Sequence, residues 1–325
     1  MTAALNLSIC IPIYDDWTSA LVLLEHIDRV APQLSARIRV MFVDDGSHDA
    51  PPSSLPVRPS ALASVSSLRL RRNLGHQRAI AIGLTHLFVQ NSADAVLVMD
   101  GDGEDSPDTI PALVECWRSH SGTRTVFATR SQRREGPGFR MGYECYKVLY
   151  RLLVGRWLKI GNFSILPRQA LSSLVAVSEI WNHYAAAVLL ARVSVATVPL
   201  PRSVRIAGQS KMAFVNLVVH GLSAISVNSS DVAVRMLVVS SVLMAALVAG
   251  IASVVAIRVG SNLAIPGWAT STVGALLLML LNLSMLSLFM LLFALRSRSE
   301  AAFLPLRDFG NYVADETILF RGSDE

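Results

Sequence analysis

From Asp94 to Asp108 the chain carries six carboxylates and no Lys or Arg, and the centre of that run is Asp100-Gly101-Asp102-Gly103-Glu104. Read as extended backbone directly after the apolar segment Ala95 to Met99, the alternation of acids with glycines points three carboxylates to one side. Hard oxygen ligands of that kind suit Mg2+ or Mn2+. An EF-hand loop would want Glu at the twelfth position counted from Asp100, where Pro111 stands. A solvated loop is the ordinary explanation of a charge run, and the position at the end of a buried strand weakens it here. A second acidic pair, Asp44-Asp45, follows Ile38 to Val43 and precedes Gly46-Ser47. Carboxylates so placed can accept hydrogen bonds from ribose hydroxyls or a base. A third group is basic: Arg202, Arg205, Ser210 and Lys211 around the turn that Gly208 permits. Its forked and point-charge donors can grip phosphate oxygens, and the same cluster can be drawn to an anionic lipid surface.

These groups need elements to hold them. Leu7 to Ile13 is an apolar, β-branched run that turns polar at Tyr14, Asp15 and Asp16, as a buried strand ending in a loop does. Leu21, Leu24, Ile27 and Val30 then recur at helical spacing before Pro32, and Ile38 to Val43 reads as the next strand. Strand, helix, strand with polar residues beyond each strand end predicts a parallel sheet whose ligands bind at that edge. Ala50 to Ser67 reads as a connector with room for a short helix, Leu68 to Leu70 as a strand, Gln77 to Gln90 as a helix and Ala95 to Met99 as a buried strand. Pro107 sits where a further helix begins. No Gly-x-Gly-x-x-Gly follows the first strand and no Gly-Lys-Ser/Thr loop exists, so dinucleotide-binding and ATP-hydrolysing readings lose their signatures.

Charged residues are 16% of the 325 and hydrophobic ones 52%, with the charges thinning after Arg235, so the two parts of the chain face different solvents. Ser229 to Val259 and Trp268 to Leu295 are each long enough to cross a hydrocarbon core at about 1.5 Å per residue. Arg235, Arg296, Arg298 and Arg307 flank these spans on one side against Arg258 alone in the connection, which predicts cytoplasmic termini and a multi-pass protein of the inner membrane. Met212, Val215, Val218, Val219, Leu222 and Ile225 repeat at helical spacing on a segment without acids, equally an interfacial helix or a core one. The expected organisation is a catalytic domain over 1–205, a juxtamembrane amphipathic segment over 206–230, two spans within 231–298 (about 231–259 and 268–295) and a cytoplasmic tail over 299–325. The lipid bilayer is thus an expected partner, two spans leave room for homo-oligomers, and the net charge of +5 lacks any nucleic-acid motif to go with it. Cys10, Cys116 and Cys145 are odd in number and far apart, against a disulfide framework. With no basic region and cleavage site at the start, the first part is expected to stay in the cytoplasm.

In order along the chain, Ile11-Pro12-Ile13-Tyr14, Val43-Asp44-Asp45-Gly46-Ser47, Arg72-Asn73-Leu74-Gly75-His76-Gln77, Met99-Asp100-Gly101-Asp102 and Arg202 through Lys211 resemble the motifs of family 2 glycosyltransferases, and more narrowly those of their polyisoprenyl-phosphate branch. The resemblance covers almost the whole chain. It implies a GT-A type nucleotide-binding parallel or mixed sheet flanked by helices, followed by juxtamembrane and two transmembrane helices. It also implies an inverting, metal-dependent transfer of a sugar from a nucleotide-sugar, UDP- in preference to GDP-, to a polyprenyl phosphate of the cell envelope. In that scheme Pro12, Tyr14, Asp44, Asp45 and Asp100 meet the nucleotide, and Asp100, Asp102 and Glu104 hold Mg2+ or Mn2+. Asp100, Asp102 and Arg130 are the catalytic candidates, with Arg130 at the diphosphate, while Arg202, Arg205, Ser210 and Lys211 hold the acceptor phosphate. Two departures stand out. Gly103-Glu104 replaces the usual Leu-Gln and adds charge, and Asn162 in Gly161-Asn162-Phe163 replaces an Asp, so no carboxylate at that position can take a proton. A phosphate acceptor, with a second pKa near 6, softens that loss. A processive polysaccharide synthase is the rival enzyme, but its Gln-x-x-Arg-Trp motif and additional spans are missing; an inactive membrane-tethered nucleotide-binding subunit is the rival outside catalysis, and the intact acidic cluster speaks against it.

Overall fold

The computed structural model describes residues 5–52, 54–91, 93–130, 137–155, 160–201, 203, 205–206, 214–260, 267–299 and 303–322. Its sheet contains β1 (Leu5–Ile13), β2 (Ala36–Asp44), β3 (Ser64–Leu70), β4 (Ala95–Val98), β5 (Thr125–Arg130), β6 (Ser164–Pro167), β7 (Val195–Leu200) and β8 (Val313–Arg321). The spatial order is β7-β5-β6-β4-β1-β2-β3-β8. β1 pairs in parallel with β2 and β4, β2 with β3, and β5 with β7, whereas β6 runs antiparallel to β4 and β5, and β8 antiparallel to β3. The mixed sheet flanked by helices is the fold class the sequence predicts.

Continuous apolar runs in β1, β2 and β4 follow from burial on both faces. On one face Ile9, Ile11, Phe42 and Leu97 pack with Leu23 and Ile27 of α1 (Trp17–Val30) and Leu113 and Trp117 of α3 (Ile110–Ser119). On the other Cys10, Met41, Val43 and Val98 meet the small residues of α2 (His76–Gln90) and the buried sides of α5 (Arg168–Leu174) and α6 (Tyr184–Leu190). Each fully buried Leu or Ile contributes about 1.5–3 kcal/mol, and a one-residue slip would exchange the two faces. Register is therefore held firmly, with Ile13 opposite Asp44 and Cys10 opposite Val98. The chain leaves β1 for β2 on one side and returns to β4 on the other, so a crevice opens where these strands end. Burial in this core pushes the Cys10 thiol up to about 12, which leaves it an inert packing group.

Two elements differ from expectation. No helix forms in the described part of 50–63, and β3 starts at Ser64 rather than Leu68. Ser64, Ser66 and Ser67 disguise the strand, although Val65, Ser67 and Leu68 are fully buried in it. The C-terminal segment is the larger surprise: 299–325 reads as a tail, yet after α10 (Pro305–Asp308) its strand β8 pairs with β3 and covers that edge. Asp315 and Glu316 interrupt its apolar residues, which hides the strand from a periodicity count. The returning segment stacks Phe303 on Trp181 at 3.9 Å, sets Tyr312 5.0 Å from the same indole, and places Glu316 3.0 Å from His86 of α2.

The chain divides into two compact units, one formed by Met1–Glu144, Leu158–Val227 and Ala302–Glu325, the other by Cys145–Trp157 and Asn228–Ala301. α4 (Pro137–Val154) contributes to both, and α7 (Phe214–Ser226) belongs to the first. The second unit holds α8 (Ser229–Gly260) and α9 (Trp268–Ser299), an antiparallel pair in which Ser284 Oγ donates to Met244 Sδ at 3.3 Å. Their most apolar stretches have mean hydropathy 2.4 and 2.5 and are only 11% and 0% buried, so both are long and apolar enough to cross a membrane and neither is covered as a core helix is.

Glu316 tests the returning strand. Hydrogen bonding from His86 is the main cause that holds its carboxyl below the usual 4.5. A lowered folded-state value contributes stability above pH 4.5 that is lost as pH falls through the lower folded value. Glu316→Gln should therefore lower the melting temperature at neutral pH, and the gap from the unsubstituted protein should close below about pH 4.5; a gap independent of pH would show that the charge does not hold β8.

Candidate active site

Beyond Ile13, the backbone turns through Tyr14, which is exposed, and through Asp15 at φ 48°. Asp15 accepts from the His48 N–H at 2.8 Å and donates its own N–H to Ser47 Oγ at 2.9 Å, tying the loop after β1 to the loop after β2. Pro12 and Ile13 pair with Val43 and Asp44 across those strands. Asp44 and Asp45 are both buried. Asp44 Oδ1 accepts the Ser47 N–H at 2.9 Å, and its Oδ2 is buried without a hydrogen bond. Asp45 accepts the Leu74 and Gly75 N–H groups at 2.7 and 2.8 Å, one on each carboxylate oxygen, and so fixes the approach to α2. Gly46 allows this closeness: at φ 72° a Cβ would lie 2.5 Å from the backbone carbon of Arg72. Burial pushes the Asp45 carboxyl up, against the pull of those two amides. Of the two acids expected at a nucleotide, Asp45 is committed to the fold.

The acidic run does not extend as the alternation predicts. β4 stops at Val98, and residues 100–105 form a turn closed by the Asp100 N–H to Asp105 Oδ2 at 3.0 Å and the Glu104 N–H to Asp102 Oδ1 at 3.0 Å, with Gly103 at φ 79°. Asp100, Asp102 and Glu104 are consequently not aligned on one side by pleating. Among the described residues no three His, Cys, Asp or Glu side chains gather into a ready metal cage.

Ser203, Arg205 and Ile206 lie along this turn. Ser203 N donates to Glu104 O at 3.0 Å and Ile206 N to Asp102 O at 3.1 Å, while the Ile206 side chain fills the space where a Cβ on Gly103 would stand. Arg205 reaches Asp102 Oδ2 at 2.5 Å, and its Nε, buried without a hydrogen bond, lies 3.8 Å from Glu104 Oε1. Burial first, then the charges of Asp100 and Glu104, push the Asp102 carboxyl up, against the Glu104 amide and Arg205. The oxygens of Asp102 and Glu104 are of the hard kind that Mg2+ or Mn2+ prefers, and such ions complete their shells with waters and substrate phosphates. The donor set thus fits such an ion.

Two residues enter the site that sequence motifs assign no role. His76 Nε2 lies 3.1 Å from Asp100 Oδ1, and Asn162 Nδ2 lies 3.1 Å from His76 Nε2 and 3.4 Å from Asp100 Oδ1. Enclosure pulls the imidazole pKa down, but Asp100, Asp102 and Asp105 together hold it above its ordinary value. His76 stands in the quoted Arg-Asn-Leu-Gly-His-Gln motif, and Asn162 in the Gly-Asn-Phe departure; only the pairing between them is invisible in one dimension. Arg130 is the last residue of β5, and its side chain is outside the described residues, as are Arg202, Ser210 and Lys211.

A sheet of this topology with a carboxylate crevice at its parallel strand ends is the build of a nucleotide-binding α/β protein. The chain belongs to glycosyl transferase family 2: the family model matches residues 8–179, just over half of its length. The glycosyltransferase YkcC of Bacillus subtilis (strain 168) is 26% identical over 184 residues, 55% of this chain and 54% of that protein. The undecaprenyl-phosphate 4-deoxy-4-formamido-L-arabinose transferase of Aeromonas hydrophila is 36% identical over 131 residues, 39% and 38% of the two chains. The prophage bactoprenol glucosyl transferase homolog of Escherichia coli (strain K12) is 25% identical over 178 residues, 54% and 56%. The chain spans about half the length, or less, of the curated relatives it matches. Among solved structures, glucosyl-3-phosphoglycerate synthase from Mycobacterium tuberculosis overlaps 72% of this chain and 80% of its own at 16% identity and TM-score 0.48.

The geometry separates fold from binding at Asp45. Asp45→Ala leaves two backbone amides without acceptors, so stability should fall by about 2–4 kcal/mol. Asp45→Asn, which keeps one acceptor oxygen, should lose less. Thermal unfolding in detergent reads the difference, and an Ala variant as stable as the parent would overturn the assignment.

Proposed function

We propose that this protein is an inverting glycosyltransferase that moves a sugar from a nucleotide-sugar, UDP- in preference to GDP-, to a membrane polyprenyl phosphate. The observation that carries the reading is the contact of Arg205 with Asp102 and Glu104, which brings the basic acceptor-side segment onto the acidic donor-side turn. Membership of glycosyl transferase family 2 and relatives named for undecaprenyl phosphate and bactoprenol supply the chemical class.

In this reading Pro12, Tyr14 and Asp44 line the nucleoside side of the crevice, and Asp102 with Glu104 faces the diphosphate. Mg2+ or Mn2+ held there would stabilise the charge that grows on the leaving diphosphate oxygens. An acceptor phosphate oxygen attacks the anomeric carbon from the face opposite the diphosphate, so the new carbon–oxygen bond forms as the old one breaks and the configuration inverts. Arg205, with Arg202, Ser210 and Lys211, holds the acceptor phosphate, and Arg130 assists at the diphosphate. The acceptor is largely a dianion at neutral pH, so Asn162 need not take a proton. Its phosphate carries the nucleophilic charge itself.

We place α8 and α9 across the cytoplasmic membrane, with the catalytic unit and both ends of the chain on the cytoplasmic side. The support is their length, apolar surface and lack of burial, together with the flanking arginines. Val148, Leu149 and Leu152 of α4, exposed on the same helix as Lys147 and Arg151, suit a headgroup boundary.

The decisive assay follows lipid-linked product by mass spectrometry in membranes given UDP- or GDP-sugars and undecaprenyl phosphate. Asp102→Ala should lower transfer by about 100-fold or more, the usual scale for losing one electrostatic stabiliser of a transition state. Full transfer by that variant would sink the reading.

A further inference from the structure

A polar row crosses the sheet at the edge away from the crevice. Ser8 of β1 is opposite Arg39 of β2, Arg39 is opposite Ser64 of β3, and Ser64 is opposite Arg321 of β8. Residues opposite one another across strands share a face, so hydroxyl and guanidinium groups alternate over four strands. All four line one cavity of about 340 Å3, walled by Met41, Ile318 and, from the last turns of α2, Leu87. Ser8 stands five positions before Ile13, about 16 Å from the crevice at the rise of an extended strand.

Ordinary structural duties do not account for this row. Charges on β8 are the usual protection of a sheet edge, but β2 is paired on both sides and has no edge for Arg39 to protect. Ser8 is 1% exposed, and its Oγ is buried without a hydrogen bond, which leaves a polar atom for a ligand to satisfy. Arg321 is aimed by an irregularity in the strand. The register slips between Val65 and Ser66, so Ile318 and Arg321 line the same cavity, although three residues apart on a regular strand they would face opposite ways. Glu316 also lines the cavity, but its carboxylate already meets His86 Nε2 and accepts from Gln90 Nε2, each at 3.0 Å. Two guanidinium groups therefore outweigh one engaged carboxylate.

We propose that this cavity binds a small phosphate monoester, with Arg39 and Arg321 on its phosphate oxygens and the serine hydroxyls on the rest of the molecule. Guanidinium forks from two sides match the oxygens of a phosphate. The volume is at the small end of ligand cavities, so the phosphate carries a small appended group. Ser8, Ser64 and Ser66 suit hydroxyls on that group, since each can donate and accept. Because Arg321 comes from β8, the ligand would also tie the returning strand to the interior of the sheet. The inference uses no residue of the crevice, and it and the glycosyltransferase reading can each fail without the other. The same phosphate chemistry is carried by soluble metabolites and by the head group of phosphatidic acid.

The test is isothermal titration of the full chain in detergent with sn-glycerol 3-phosphate, and in a second arm with short-chain phosphatidic acid in mixed micelles. Arg39→Gln and Arg321→Gln should each weaken binding by about 10-fold or more, the scale of one lost charge-assisted hydrogen bond, and Ser8→Ala by about 5-fold. Ser8→Ala also separates binding from packing. It removes a buried hydroxyl that has no partner, so the melting temperature without ligand should hold or rise while affinity falls. Should Arg39→Gln not fold, Arg321→Gln, on the exposed edge strand, carries the test. Saturable binding of the soluble probe that depends on these arginines assigns the site to a metabolite; binding of phosphatidic acid alone with the same dependence assigns it to a lipid head group. Either result supports the proposal. It is overturned if neither probe saturates by about 10 mM, or if binding survives both arginine substitutions. It is equally overturned if Arg205→Gln, a change in the crevice, abolishes the binding that Arg39→Gln and Arg321→Gln leave intact.

Discussion

Everything at this site depends on how closely carboxylates crowd the ends of parallel strands in surroundings that screen them poorly. Two like charges 4 Å apart cost about 4 kcal/mol at the effective dielectric of a protein surface, and Asp44, Asp45, Asp100, Asp102, Glu104 and Asp105 share one edge of one sheet. Each described partner is an answer to that cost. Asp45 takes two amides, Asp44 takes the Ser47 amide, Asp105 takes the Asp100 amide, Asp100 takes His76 and Asn162, and Asp102 takes Arg205. Even so, the Asp45 and Asp102 carboxyls remain pushed up. An acid that holds its proton more tightly when folded weakens the fold as pH rises through that range. The crevice is therefore built at a cost that a bound cation would offset, which is the sense in which its electrostatics point to a ligand.

The topology makes this crowding possible without disorder. Because β1, β2 and β4 run the same way, loops separated by tens of residues end at one edge, and burial on both faces denies those strands any slip. Adjacent residues then have opposite duties. Asp44, the last residue of β2, is opposite Ile13, while Asp45 gives its N–H to Ile13 O and turns its carboxylate to the 74–75 backbone. One acid is spent on holding α2 in place, and that helix in turn delivers His76 to Asp100.

The central strands, α1, α2 and the two long apolar helices were legible because each depends on apolar period or run length, quantities the sequence carries locally. The acidic turn was legible in composition and misread in shape. Acids alternating with glycines read as extended chain, but Gly103 at φ 79° and the hydrogen bond from Glu104 N to Asp102 Oδ1 bend it. β3 and β8 were obscured for a common reason: serines in one and acids in the other occupy strand positions that neighbours alone make acceptable. His76 and Asn162 lie 86 positions apart, and no local pattern tells that they meet at one carboxylate. Contacts of that range follow from packing, and no single-sequence periodicity encodes them.

The return of the chain to its own sheet alters how the apolar helices should be regarded. They are not an appendage after a finished domain: the first compact unit is left at Val227 and re-entered at Ala302, and β8 then completes its sheet. The hairpin is thus an insertion with both ends anchored in one unit, and Cys145–Trp157 adds an earlier excursion into the second unit. Anchoring at both ends removes more freedom than a single linker would, since closing the connection is entropically settled once β8 has paired. Ser203 and Ile206, which lie between the strands of the sheet and the first long helix in sequence, donate backbone hydrogen bonds to Glu104 O and Asp102 O, so Arg205 meets Asp102 through fixed backbone and not through a free tether.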